Sequence, residues 1–228
     1  MLGVPAPKVD SSKDKGPVTI DGGLDDWDLS GGILMCYDLE TLLDTHSVRA
    51  SLMYDEAFLY AAFQFKDRTP MLNLVDPDIE SGMGWRSDCV QFRFWTDADK
   101  PIGPGGALIA HLDCWYFTEG GHPAARLTHH NISRGKEGME MVIRNALGKG
   151  VDAAFHEDAD GQGYVQEVRV AWELIRRTGE RYVAGESFRM GLECFWGDAT
   201  AKTWYQHRLT DLINPDRPQR EFFWSNHN

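Results

Sequence analysis

Apolar and polar residues alternate in six short stretches of the chain, and a two-residue period marks strands with one buried face. The stretches are residues 47–53, 58–65, 89–95, 111–117, 164–170 and 188–195. Each is rich in aromatic or β-branched side chains and is bounded by turn formers. Such a series predicts antiparallel sheets packed face to face, an all-β sandwich of the immunoglobulin-like or jelly-roll-like kind. Helical periodicity is confined to residues 38–45 and 171–178, the second ending at Gly179 as helix C-termini commonly do. Neither is long enough to form a helical layer. Residues 67–87 and 118–150 read as polar rim loops, the usual place for binding residues. Residues 1–16 lack periodicity and read as a flexible lead-in, leaving residues 17–228 as one sandwich domain.

The chain of 228 residues is long enough to bury a substantial core, and eight tryptophans are a heavy load that must go into that core or onto a binding surface. A formal charge of −12 repels phosphates, which argues against nucleic acid and anionic membrane and favours neutral or cationic partners. No run approaches the roughly 18 apolar residues needed to span a bilayer. The first residues lack the apolar core of a signal peptide, so the sequence reads as cytosolic or as a piece of a longer secreted or periplasmic chain. The four cysteines, Cys36, Cys89, Cys114 and Cys194, form no CxxC pair, which excludes a zinc knuckle and a covalent haem attachment motif. Three of them sit in apolar runs and are expected as buried thiols.

Residues 17–28 read PVTIDGGLDDWD, a polar turn with a tryptophan among aspartates. Residues 54–60 lead into Phe65, Lys66 and Asp67; Trp85, Arg86, Ser87 and Asp88 lead into residues 89–94; residues 163–172 come late. Four such elements in this order resemble the family 9 carbohydrate-binding modules and the wider DOMON-like sandwiches, which include the haem subunit of ethylbenzene dehydrogenase. The resemblance spans roughly residues 17–225, the scale of a domain. It implies that the turn at Ile20, Asp21 and Gly22 starts the first strand and that Trp27 packs onto the sandwich. The aspartates are then turn formers or calcium ligands. It further implies a non-catalytic module, usually attached to an enzyme, that clamps a sugar between two tryptophans.

Sugar rings present apolar C–H faces bordered by hydroxyls, so a site needs flat aromatic walls and hydrogen-bonding side chains. Trp85 stands where the family combines an aromatic with polar contacts, here Arg86 and Asp88. Trp196 and Trp204 flank residues 197–203, where the family often supplies its second aromatic, and their spacing suits a hairpin. All three could equally be rim or core aromatics. Gln91, Arg93 and Trp95 share one side of their strand, as do His111, Asp113 and Trp115 of theirs. Neighbouring strands would make these a floor for a polyhydroxyl ligand, or simply the wet face of a sheet.

Glu157, Asp158, Asp160 and Gly161 have the look of a calcium loop, which lacks the remaining ligands of an EF-hand and also fits a plain hairpin turn. His111, His122, His129 and His130, with Met139 and Met141, are the axial candidates if the chain is instead a haem b electron-transfer domain of the same fold. No nucleophile elbow, zinc-protease helix or phosphate loop occurs, and no carboxylate pair stands out from the 35 acidic residues. The expected function is therefore non-catalytic binding of an oligo- or polysaccharide, targeting an attached or partner enzyme, with structural calcium as the implied cofactor. The alternatives are the haem b domain and a structural module of a larger extracellular protein. Cys89 and Gln91 depart from the family's usual Ser and Glu, and residues 118–150 have no identified counterpart.

Overall fold

The alternation at residues 58–65 becomes the strand β3, whose Leu59, Ala61, Phe63 and Phe65 face the core. In the computed structural model the described residues are 17–36, 38–95, 109–133, 136–176, 188–208 and 221–226. Of these, residues 130–133, 136–140, 189, 203–208 and 221–226 are described by backbone alone. The expected lead-in and the end of the expected second helix lie outside the described residues.

The elements run β1 (Ile33–Met35), β2 (Ser47–Tyr54), β3 (Phe58–Lys66), β4 (Cys89–Trp95), β5 (Ile109–Phe117), β6 (His122–Ser133), β7 (Lys136–Ile143), β8 (Val151–Glu157), β9 (Gly163–Ala171), β10 (Arg189–Gly197), β11 (Thr203–Arg208) and β12 (Glu221–Asn226). All six alternating runs are strands. A five-stranded sheet has the order β1-β2-β3-β9-β8, and a seven-stranded sheet the order β12-β11-β10-β4-β5-β6-β7. Every ladder is antiparallel. The inner faces meet in one apolar cluster, in which the Phe63 ring lies 5.6 Å from Phe92 and the Phe65 ring 5.4 Å from Trp196. The molecule is an all-β sandwich, as its alternation predicts. All four cysteines are buried.

Several local expectations change. Residues 118–150 carry β6 and β7 in place of a loop. Residues 18–20 form no strand. Residues 38–45 make separate turns rather than a helix: the Leu42 amide donates to the Asp38 carbonyl (2.9 Å) and the His46 amide to the Leu42 carbonyl (2.8 Å), while the Asp38 carboxylate caps the first turn by accepting from the Glu40 amide (2.9 Å) and the Thr41 hydroxyl (2.7 Å). The second helix is a single turn, α2 (Trp172–Ile175), since Arg176 is already extended at φ −126° and ψ 128°. The segment between β3 and β4 holds one helical turn, α1 (Pro77–Glu80), capped by Asp76, and a 3-10 turn, Ser81–Arg86. No helix among the described residues is long and apolar enough to cross a membrane.

The tryptophan in the acidic turn is explained by the outer face of the five-stranded sheet. Val18 and Trp27, with Ile20, Leu24 and Leu29 beside them, cover Met53, Tyr60 and Ala62 there. Trp27 is fully buried and its indole N–H donates to Glu167 Oε1 at 2.6 Å. Glu167 Oε2 accepts from the amides of Asp21, at 3.0 Å, and Gly22. Gly22 adopts φ +92° to bring its amide to the carboxylate, a conformation costly for a side chain. The turn is thus a strap pinned to a buried strand carboxylate. Replacing Trp27 with Phe keeps one aromatic ring but removes the indole donor and leaves a cavity at a fully buried site, so stability measured by urea unfolding should fall by about 1–3 kcal/mol.

Candidate ligand-binding face of the seven-stranded sheet

Period-two parity in β4, β5, β6 and β10 sends Phe92, Leu112, Leu127 and Leu192 into the core and the intervening residues to the outer face. The antiparallel register lines those residues up in rows. Glu193 pairs with Gln91, Gln91 with Asp113, and Asp113 with Arg126. In the adjacent row Gly191 pairs with Arg93, Arg93 with His111, and His111 with Thr128. The two polar strands read from the sequence are therefore neighbours, and β6 and β10 extend their patch with Arg126, Thr128 and Glu193.

This is not a wet sheet face. Asp113 and Glu193 are 1% exposed and Gln91 4%. The side chains of Arg93, His111 and Arg126 retain 14%, 17% and 13% exposure, so they form an upper layer over buried carboxylates. Gln91 Nε2 donates to Asp113 Oδ1 at 2.5 Å, His111 Nε2 lies 3.2 Å from the same oxygen, and Arg126 Nη1 lies 3.5 Å from Oδ2. Arg93 Nη2 lies 3.2 Å from Glu193 Oε1. Burial by itself would raise the Asp113 carboxyl, but His111, Arg126 and Gln91 hold it below its usual range.

The segment between β3 and β4 roofs one end of this face. Cys89, Trp115, Phe117, Ala124 and Phe195 form an outer apolar cluster against which Val75 and Trp85 pack. The Trp115 indole N–H donates to the Val75 carbonyl at 2.9 Å. Gly84 crosses directly over the Trp115 ring, where a β-carbon would fall 2.5 Å from Cε3, so only glycine permits this approach. Trp85 remains partly exposed, and its indole N–H donates to the Gly82 carbonyl at 3.0 Å. A β-carbon on Gly82 would stand 3.9 Å from Arg126 Cζ, so the turn bearing Trp85 borders the polar rows at Arg126.

The structure sorts the residues singled out in the sequence. Trp85, Arg93 and His111 reach the surface of this face, with Gln91 and Asp113 beneath them. Trp115 is fully buried under Gly84 and cannot contact a ligand as expected. Trp196 is corrected from aromatic wall to core residue. It is fully buried on the inner face, and its indole N–H donates to the Lys66 carbonyl at 2.9 Å. Asp88 is also no ligand contact, since its buried carboxyl accepts from the Gly197 amide at 2.6 Å and the Leu72 amide at 2.8 Å. Arg86 pairs with Glu80 at 2.9 Å. Trp95 pairs in the ladder with Ile109, one row beyond the patch. Residues 196 and 204 do lie in one hairpin, where Trp196 pairs with Tyr205 and Trp204 with Gly197. The ladder position of Trp204 therefore belongs to the outer face, and its side chain lies outside the described residues.

Asp158 and Asp160 shape the β8–β9 hairpin: Asp158 Oδ2 is 3.4 Å from Lys66 Nζ, and Asp160 Oδ1 accepts from the Gln162 amide at 2.9 Å. Among the described residues no three His, Cys, Asp or Glu side chains are grouped to hold a metal ion. Of the haem candidates, a His129 ring nitrogen lies 2.7 Å from the Leu174 carbonyl oxygen, and His122 is equally close to the Pro123 carbonyl. Met141 packs on the core. The side chains of His130 and Met139 lie outside the described residues.

No family model matches the sequence, and no curated protein matches it. Solved structures do. A family 9 carbohydrate-binding module from Caldicellulosiruptor kristjanssonii, in complex with glucose, is 17% identical with a TM-score of 0.50, over 82% of this chain and 78% of that one. In complex with cellotriose it is 15% identical with a TM-score of 0.51, over 82% and 76%. At such identities the likeness is one of fold. The chain thus has the fold of a family 9 module, as its sequence motifs imply.

Because the folded Asp113 carboxyl is held below its ordinary value of 3.8, its contribution to stability is present above that pH and is lost as the pH falls through the lowered value. Asp113→Asn should cost about 3 kcal/mol at neutral pH, because it leaves Arg126 and His111 without the buried carboxylate that holds them. It should also flatten the acid limb of a melting-temperature profile.

Proposed function

We propose that the chain binds carbohydrate without transforming it, at the outer face of the seven-stranded sheet where the Trp85 turn borders the polar rows. One observation carries the reading: the turn that bears the partly exposed Trp85 borders Arg126, at the edge of a patch whose three donor side chains are fixed from below by buried carboxylates. A sugar ring laid on Trp85 would place its C–H face on the indole and turn its hydroxyls toward Arg93, His111 and Arg126. Gln91, Asp113 and Glu193 would act beneath, holding the donors in place. Trp204, from its ladder position on the same face, becomes the second wall of the clamp that the sequence resemblance implies. The shared fold with a module whose structures hold glucose and cellotriose supports a neutral saccharide as ligand. The net charge of −12 favours the same class over polyanions.

Such a module serves by targeting. Joined to an enzyme, it would raise the enzyme's effective concentration at a polysaccharide surface.

Isothermal titration with glucose and cellotriose, followed by a pull-down on insoluble polysaccharides, tests the reading. Trp85→Ala should weaken binding about 10-fold or more, the scale of one aromatic stacking contact, while near-ultraviolet circular dichroism shows the fold retained. Undiminished affinity would remove Trp85 from the site, and a wild-type protein that binds no saccharide would end the proposal.

A further inference from the structure

Two carboxyls outside the polar rows remain to be accounted for. Asp67, at the end of β3, and Asp88, just before β4, are each 3% exposed and lie within hydrogen-bonding reach of each other. They bracket the segment that carries Trp85. Asp88 ties that segment to both strands beside it, accepting from the Leu72 and Gly197 amides. Asp67 Oδ1 accepts from the Thr69 amide at 2.9 Å, and the Thr69 hydroxyl donates to the Gly197 carbonyl at 3.1 Å. The buried Asp67 Oδ2 meets no amine, amide or hydroxyl donor. No ion pair among those found in the described residues includes either carboxyl.

Two carboxylates cannot approach at that depth while both are ionised, because neither water nor a cation offsets their repulsion. A proton between them converts the repulsion into a hydrogen bond. We propose that Asp67 and Asp88 share one proton, and that this proton latches the Trp85-bearing segment, residues 68–87, onto the seven-stranded sheet, so that raising the pH loosens it.

The surroundings leave this pair as the group that changes charge between mildly acidic and mildly basic pH. Burial, then Asp88 and Asp67, pushes the Tyr164 phenol well above its usual value, and burial does the same first of all to the Cys89 and Cys194 thiols. His46, whose ring lies 6.1 Å from Trp196 at a tilt of 58°, is lowered to about 4 by burial and then by Arg68, so it is neutral throughout. Lys66 reaches out to Asp158, and Arg68 is exposed. Burial raises Asp67 to about 6 and Asp88 well above its ordinary value, with Asp67 adding to the second. For a carboxyl pair raised on folding, stability is fully present below the unfolded pKa of 3.8 and is lost as the pH rises through the raised values, the shared proton leaving at the higher of the two.

The test is a comparison of the wild type with Asp67→Asn from about pH 5 to about pH 8, in the presence of a chelator. Asparagine keeps the oxygen that accepts from Thr69 and offers Asp88 a permanent N–H in place of the shared proton. The wild-type melting temperature should fall by about 5 °C or more relative to the variant across that range. The Leu72 and Gly197 amides should lose about 10-fold in hydrogen-exchange protection in the wild type alone, after correction for intrinsic exchange. Parallel profiles for both proteins would overturn the proposal. So would calcium that restores the wild type at the higher pH and leaves Asp67→Asn unaffected, since a cation would then be the occupant. These readouts need no sugar. Loss of saccharide affinity with rising pH is expected in addition and rests on the binding reading, so a failure of that reading leaves the latch test standing.

Discussion

A carboxylate taken out of water costs several kcal/mol unless donors or cations replace its hydration. Asp67, Asp88, Asp113, Glu167 and Glu193 are each at most 3% exposed, and much of the molecule's shape follows from how they are satisfied. Glu167 is met by an indole and two turn amides, which wrap the chain before β1 over the five-stranded sheet. Asp88 is met by two amides, which draw the β3–β4 segment over the other sheet. Asp113 and Glu193 are met by the cationic side chains of the candidate site. Sandwiches usually leave their outer faces to water, but here both are roofed, and the buried acids hold the roofs.

That arrangement places the chemistry of the face. In a chain with 35 acidic and 23 basic residues, Arg93, His111 and Arg126 gather over two desolvated carboxylates in adjacent ladder rows. The buried acids fix the cations as the rotamers of isolated surface arginines would not be fixed. Preorganised donors bind at a smaller entropic cost than mobile ones. Trp85 joins them through the roof, because the turn that presents it exists only where Gly84 can pass over Trp115.

The sequence makes the inner face legible and much of the outer face not. Alternation in residues 58–65 and 89–95 survives as β3 and β4 because one parity of each strand is strongly apolar. In β6 the same rule operates on Ala125 and Leu127 against Ala124, Arg126 and Thr128. Both faces are covered there, so the polarity contrast that signals a strand is weak, and the run reads as loop. Gln91, Arg93, His111 and Asp113 were visible through their period. Arg126, Thr128 and Glu193 share that period but needed the register to bring them alongside. Asp88 reads in sequence as a polar contact to the ligand, and its anchoring role depends on the amides of Leu72 and of Gly197, the latter far away along the chain.

Strand parity alone assigns Trp196 to the core. Leu192 and Cys194 are apolar and two and four residues before it, so a tryptophan at 196 continues the core face of the same strand. The hairpin then returns with Tyr205 opposite it and Trp204 opposite Gly197, on the other face. An aromatic at the end of a strand is therefore better judged by its parity with the strand's interior than by its proximity to a loop. Read that way, Trp196 seals the end of the core against Phe65, and the outer position is left to Trp204. The same parity explains why glycine stands at 197: the outer position there lies against Ser87 and the Asp88 carboxyl, and a β-carbon would displace the Ser87 hydroxyl. The residues that close the core, anchor the roof and carry the second tryptophan thus occupy consecutive ladder positions of a single hairpin.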